Sequence, residues 1–159
     1  MNCALLSPGP SLARLTKAPA ADVTIAVKRA ALPFGCDWVC ILDSPALKEY
    51  GGIAPAAQLL TRREYRPKYT VRPGLNCEDL GCPVLMFDLY TATAALALAG
   101  YLGATRVDVY GADWTDAPDF DGHTPAESNR TPQRWALERG VWANVVGWLD
   151  GKGCEVVRH

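Results

Sequence analysis

TATAALALAGYLGATRVDVYGADW, residues Thr91–Trp114, reads as a helix that runs directly into a strand. Small apolar residues continue from Thr91 to Leu102 and stop at Gly103, a residue suited to ending a helix. Arg106 to Asp113 follows as a strand with alternating valines. The apolar stretch is shorter than a membrane span and carries threonines and glycines, so it reads as a helix buried inside a protein. An apolar helix feeding an apolar strand is the repeating unit of an α/β fold.

Working outward, the same alternation holds along the chain. Asn2–Ser7 reads as a buried first strand and Ser11–Lys17 as a short helix. Asp22–Val27 and Asp37–Asp43 read as the second and third strands. Ser44-Pro45 gives an N-cap with proline at the first helical position, which predicts a helical turn over Ala46–Tyr50. Ala57–Thr61 reads as a fourth strand. Arg62–Asp79 is polar and irregular, and Pro83–Phe87 is a short apolar run of open type. Asp113–Thr131 is a loop rich in Asp, Pro and Gly. Thr131-Pro132 caps a helix to about Leu149, with Trp135, Val141, Trp142, Val145 and Leu149 on its apolar stripe. Cys154–Val157 is a last strand. Most of the strands lack polar/apolar alternation, as expected when helices cover both faces of a mostly parallel sheet. The prediction is a single Rossmann-like domain spanning residues 1–159.

Composition agrees. The chain has 159 residues, 49% of them hydrophobic and 21% charged, with a formal net charge of -1. So even a balance argues against a molecule built as a whole to bind polyanions. The first residues lack a basic region and a long apolar run, which points to a cytoplasmic protein with no membrane partner. Six cysteines occur, three of them (Cys3, Cys40, Cys154) in apolar strand-like runs where a thiol serves as a small core residue. The spacings Cys36-x3-Cys40 and Cys77-x4-Cys82 lack the usual context of a zinc knuckle, so no cysteine metal site is expected.

In a parallel sheet, ligands bind beyond the carboxyl ends of the strands. Four such ends carry polar residues: Ser7-Pro8-Gly9-Pro10-Ser11, Lys28-Arg29, Asp43-Ser44 and Gly111-Ala112-Asp113-Trp114. All four are expected on one edge. Gly9 permits close approach of a ligand, and the following helix offers free N–H groups to an anion. Gly-rich dinucleotide and P-loop signatures and a nucleophile elbow are absent. Only His123 and His159 are histidines.

Gly9-Pro10-Ser11-Leu12 after a first strand resembles the nucleotide-binding turn of two related groups. They are the MptE-like 6-hydroxymethylpterin diphosphokinases and the bacterial CMP-sialic-acid-dependent sialyltransferases. The unit Ala95, Leu98, Ala99, Leu102, Gly103, Gly111, Asp113 and Trp114 is similar to their small-residue helix, L-G turn and G-x-D strand. The resemblance implies a Rossmann-like fold with a nucleotide or nucleotide-sugar as ligand. It places Gly9 and Ser11 against phosphates or ribose, with Thr91, Thr93, Gly111 and Asp113 completing the pocket. Ser7-Pro8 stands where these groups carry a small residue and asparagine, and Lys28 where the sialyltransferases carry asparagine.

The expected function is therefore nucleotide-dependent (di)phosphoryl or glycosyl transfer. Ser7, Gly9, Ser11, Lys28, Asp43, Thr91, Thr93 and Gly111 form the nucleotide-binding set, and Asp113 and His123 the catalytic pair. His123 would act as general base. Carboxylates of Asp113–His123, which holds four aspartates, would hold Mg²⁺ against phosphate oxygens. The alternative is a non-catalytic nucleotide- or nucleic-acid-binding module. It would use the basic segment 62–72, with Arg62, Arg63, Arg66, Lys68 and Arg72, as its contact surface.

Overall fold

The computed structural model describes residues 1–69, 72–83, 90–128 and 130–159. Seven strands form one sheet: β1 (Asn2–Leu6), β2 (Val23–Val27), β3 (Trp38–Cys40), β4 (Gln58–Thr61), β5 (Gly74–Asn76), β6 (Arg106–Tyr110) and β7 (Glu155–Arg158). Their order is β5-β4-β3-β2-β1-β6-β7, and every pairing is parallel. The architecture is Rossmann-like α/β. The order runs one way from β1 to β5 and the other way from β6 to β7, so it reverses between β1 and β6.

Side chains alternate along each strand and feed two cores. On one face Cys3, Leu5, Ile25, Val27, Cys40 and Leu60 pack under α3 (Thr91–Tyr101) and α4 (Pro132–Asp150). On the other, Leu6, Ala26, Val39 and Leu59 pack under Leu12, Ala30 and α1 (Ser44–Tyr50). Burial on both faces is why the strands read as continuous apolar runs. Helix α3 is apolar all round because it is enclosed all round: Ala94 to Ala99 have no more than 0% exposure each. Its alanines bring it close to the sheet. At Gly100 the α4 side chains of Leu149 and Trp148 approach so closely that a Cβ would stand 2.8 Å from the Trp148 ring.

Several boundaries differ from the sequence reading. The expected helix over Ser11–Lys17 is a 3-10 turn over Pro10–Arg14. Pro10 and Pro19 bracket the segment, and the residue before Pro19 is steered away from helix, leaving too short a window for an α-helix. A second 3-10 turn, Lys28–Ala31, connects β2 to β3. Asp43, not Ser44, caps α1; its carboxylate accepts the Ala46 N–H at 2.9 Å. The third strand ends at Cys40, although Ile41 and Leu42 stay buried. The polar stretch 62–79 contains α2 (Arg66–Tyr69) and strand β5. Strand β5 has only three residues and begins at Gly74, where any Cβ would overlap the Leu59 carbonyl of β4. The run Pro83–Phe87 extends outside the described residues. No helix among the described residues is long and apolar enough to cross a membrane.

Candidate functional site

The reversal of strand order sends the chain to opposite faces after β1 and β6, which opens a crevice between their carboxyl ends. After β1, Leu12 joins one core; after β6, the chain passes toward α4 on the other. Ser7, Gly9, Lys28, Thr91, Gly111 and Asp113 all line the resulting cleft. Of the ten site residues expected from sequence, these six come together there.

The floor of the cleft is a clamp between the two turns. The Gly9 N–H donates to the Gly111 carbonyl at 2.8 Å. Asp113 accepts the Ser11 N–H through Oδ2 and the Ser11 hydroxyl through Oδ1, both at 2.7 Å. The Ser11 Oγ in turn accepts the Gly111 N–H at 3.1 Å. These contacts explain the glycines. A Cβ on Gly9 would overlap the Gly111 carbonyl oxygen and come within 2.7 Å of Asp113 Oδ2. Gly111 has φ +75 and lies against the Ser7 carbonyl. Ser11 thus sits behind the cleft wall, and Asp113 reaches across to it.

Two non-glycine residues lining the cleft have left-handed backbones, Lys28 at φ 51 and Trp114 at φ 48; among the described residues only Ala54 shares this. Such conformations cost free energy and persist where surrounding structure enforces them. Lys28 is held by an ion pair of 2.5 Å to Asp43, which lies beside the cleft rather than in its lining. Burial pushes the Asp43 carboxyl up, but Lys28 and the Ala46 N–H outweigh it and hold it below the ordinary carboxylate range. Trp114 is held by the Arg158 guanidinium, 4.6 Å from its ring centre, and by an edge contact with Trp142 at 5.3 Å.

The loop after Trp114 is fastened by charge. Arg29, 6% exposed, donates to the buried Asp119 and, at 2.5 Å, to Asp121. Arg130 Nη1 donates to the second oxygen of Asp119 at 2.9 Å. Two guanidinium groups and two carboxylates make a neutral quartet, the arrangement that buried charge requires. Burial acts to raise the Asp121 carboxyl, yet the hydrogen bond and charge of Arg29 prevail and lower it. His123 stands against Asp121, its Nδ1 3.2 Å from Oδ1, and does not line the cleft. Thr93 does not line it either: it is fully buried, and its hydroxyl donates to the Tyr90 carbonyl at 2.8 Å.

The opposite wall comes from residues that sequence reasoning passed over. Arg130, Arg134, Trp135 and Glu138 line the cleft, with Tyr90 at the mouth of α3. Arg134 stands over the Tyr90 ring at 6.0 Å. The Nε and Nη2 atoms of Arg130 are buried and have no hydrogen-bond partner among the described residues. Together these two atoms form the edge of a guanidinium that grips a carboxylate or phosphate in two places. Tyr90, the N-cap of α3, gives no side-chain cap bond, and the helix begins with Thr91 and Ala92 in the lining of the cleft. Burial raises the Glu138 carboxyl above its ordinary range, against the opposing pull of Arg134, the Trp114 indole, Arg130 and Lys28. The i, i+4 spacing of Arg134 and Glu138 was the available signal, because it places both on one line of α4; Arg130 lies before the helix and leaves no such trace.

Most of the carboxylates expected to hold a metal already have partners within the protein. Asp113 is bonded to Ser11, Asp43 to Lys28 and Ala46, and Asp119 to two arginines. Among the described residues no group of three or more His, Cys, Asp or Glu side chains stands close enough to hold a metal ion. The described residues thus form no all-protein cage for Mg²⁺, an ion that usually takes one or two carboxylates together with substrate phosphates. Among the described residues the cysteines form no disulfide, and all but Cys36 are buried.

The basic segment is largely built into the sheet edge. Arg66 donates to the carbonyls of Leu59, Leu75 and Arg72 and to Asn76 Oδ1. Arg72 donates to the carbonyls of Ile53 and Ala54 at 2.9 and 2.8 Å. Arg63 pairs with Asp79, and Arg62 with Glu64 at 3.8 Å. Arg66 and Arg72 thus satisfy backbone carbonyls at the sheet edge, and Arg62 and Arg63 pair with neighbouring carboxylates.

No family model matches the chain, and no curated protein or solved structure matches it.

Proposed function

We propose that the cleft between β1 and β6 binds a phosphate-bearing nucleotide or nucleotide-sugar, and that the chain is a transferase of (di)phosphoryl or glycosyl groups. The observation that supports this reading is the basic wall at the strand-order reversal: Lys28, Arg130 and Arg134 line it, and the Nε–Nη2 edge of Arg130 has no partner among the described residues. A buried donor pair without a partner is rare in a native protein and calls for an acceptor.

Each group then has a physical task. Lys28 and Arg134 neutralise phosphate charge, and the start of α3 at Thr91 adds oriented N–H groups and the positive end of a helix dipole. Tyr90, Trp114 and Trp135 supply apolar faces for a base. The Ser11–Asp113 clamp holds the turns after β1 and β6 at a fixed separation, so the donors are positioned before the ligand arrives. Asp113 is a positioning residue in this scheme. No step runs through a protein-held metal; any Mg²⁺ would enter on the phosphates of the nucleotide.

Thermal shift with a panel of nucleotides and nucleotide-sugars, with and without Mg²⁺, tests the reading. A ligand at a hundredfold excess over Kd stabilises the folded state by about 2.7 kcal/mol. For a chain of this size that raises the midpoint by roughly 5–10 °C. Lys28→Ala should reduce the rise. No rise with any compound in the wild-type protein would refute the proposal.

A further inference from the structure

The cleft that gathers these cations also holds a carboxyl group with no counterpart in the sequence reading. Glu138 is half-buried on α4, one turn beyond Arg134, and lines the cleft. Four other groups of the same cleft act on its carboxyl by charge or hydrogen bonding. They are Lys28 from the turn after β2, Arg130 from the segment before α4, Arg134 from α4 and the Trp114 indole from the turn after β6. Asp113 and Asp119 share the cleft wall, but Ser11, Arg29 and Arg130 hold them.

These cations have two competing claims on them. In the free protein the Glu138 carboxylate shares their field. A phosphate-type dianion seated on Lys28, Arg130 and Arg134 would take that field for itself. Glu138 would then be a half-buried carboxylate beside an anion, a combination that favours the protonated form. A protonated carboxyl is also a donor, able to hydrogen-bond an anionic oxygen. We propose that the cleft binds a phosphate-type dianion together with one proton from solvent, and that Glu138 takes up that proton. The inference rests on the anion-binding cleft proposed above and adds its regulation by pH.

The sign follows from linkage. Below the pKa of Glu138 in the free protein the group is already protonated and affinity is independent of pH. Between the free and ligand-bound values each binding event consumes a proton, so affinity falls with rising pH by up to about tenfold per unit. Above the bound value affinity is low and flat. Burial already places the free value above the ordinary range, which moves the window toward neutrality.

Sulfate is the suitable probe, because it stays a dianion throughout and contributes no titration of its own. Binding is followed by amide chemical shifts of Gly111, Thr91 and Trp114 between about pH 5.5 and 8. Wild-type affinity should weaken at least about tenfold across that range, while Glu138→Gln should bind more tightly at pH 8 and respond less to pH. Calorimetry of the wild-type protein in two buffers of different ionisation enthalpy gives an independent reading, with net proton uptake approaching one per sulfate. Equal pH dependence in both proteins, or zero proton uptake, overturns the role of Glu138 and leaves the anion cleft standing. Absence of sulfate-induced shifts at the cleft residues in both proteins at every pH overturns the cleft reading and this inference with it.

Discussion

Removing the Ser11 hydroxyl should cost far more than its size suggests. In Ser11→Ala, Asp113 loses a charge-assisted hydrogen bond of 2.7 Å, and the buried Gly111 N–H loses its 3.1 Å acceptor. A bond to a charged group contributes about 1.5–3 kcal/mol, and an orphaned buried donor costs about 1–3 kcal/mol. The two effects overlap, so we expect a loss of about 2–4 kcal/mol, a sizeable part of the stability of a domain. Asp113→Ala removes the same side-chain bond and also the acceptor of the Ser11 N–H at 2.7 Å. The double variant should therefore be less destabilised than the sum of the singles by about 1–3 kcal/mol. Urea unfolding followed by tryptophan fluorescence reads this directly, since the Trp114–Trp142 contact lies next to the clamp. With a slope of about 2 kcal/mol per molar, Ser11→Ala should lower the midpoint by about 1–2 M. An Asp113 that serves only as a free ligand carboxylate predicts the opposite: near-neutral singles and no coupling. Single losses below about 0.5 kcal/mol, or strict additivity, would refute the clamp.

Four further outcomes are expected. Gly111→Ala should destabilise much more than Gly153→Ala: both glycines have φ +75, but only at Gly111 does a Cβ meet backbone, and Gly153→Ala should cost about 1 kcal/mol by urea unfolding. Arg29→Met should cost about 3–5 kcal/mol by leaving Asp119 buried with one partner, and should raise amide exchange across residues 115–123. Acid should weaken the fold through Asp43 and Asp121. Both are held below the ordinary carboxylate range, so their contribution is present above about pH 4 and lost as pH falls through the lowered folded values; a pH series of thermal midpoints reads this. Thiol reagents should react slowly with the native protein near pH 7, because burial pushes Cys3 and Cys36 up to about 11 and Cys77 to about 12, whereas denaturant should release all six.

What could be read from sequence follows what each segment touches. Strands β1 and β2 and helix α3 are enclosed by apolar neighbours, and enclosure writes itself as apolar runs, whereas β6 shows only its alternating buried valines. Strand β5 owes its place to backbone pairing with β4 and to the missing Cβ of Gly74, and neither leaves a hydrophobic signature. Asp43 and Ser44 are both good caps, and only the extended backbone at Asp43 decides between them. The left-handed turns at Lys28 and Trp114 were invisible because neither residue is the glycine that usually marks such a conformation. Arg134 and Glu138, four apart on a helix, look like a solvated surface pair. Their place in a cleft depends on how α4 docks through Trp135, Trp142 and Val145.

The same geometry changes what a short motif tells us. Gly9, Ser11, Gly111 and Asp113 read from sequence as ligand-contacting residues, yet their polar atoms bond mainly to one another. Their spacing is what two turns need in order to meet at the point where a parallel sheet reverses its order. A motif of this kind fixes where a crevice opens; it leaves the contents of the crevice to other residues. Here those are Lys28 on one side and Arg130, Arg134 and Glu138 on the other. Substitutions in the clamp should therefore act first on stability, and substitutions in the α4 wall first on ligand affinity. A variant such as Arg134→Ala, stable in urea but weak toward the anion, would separate the scaffold from the site.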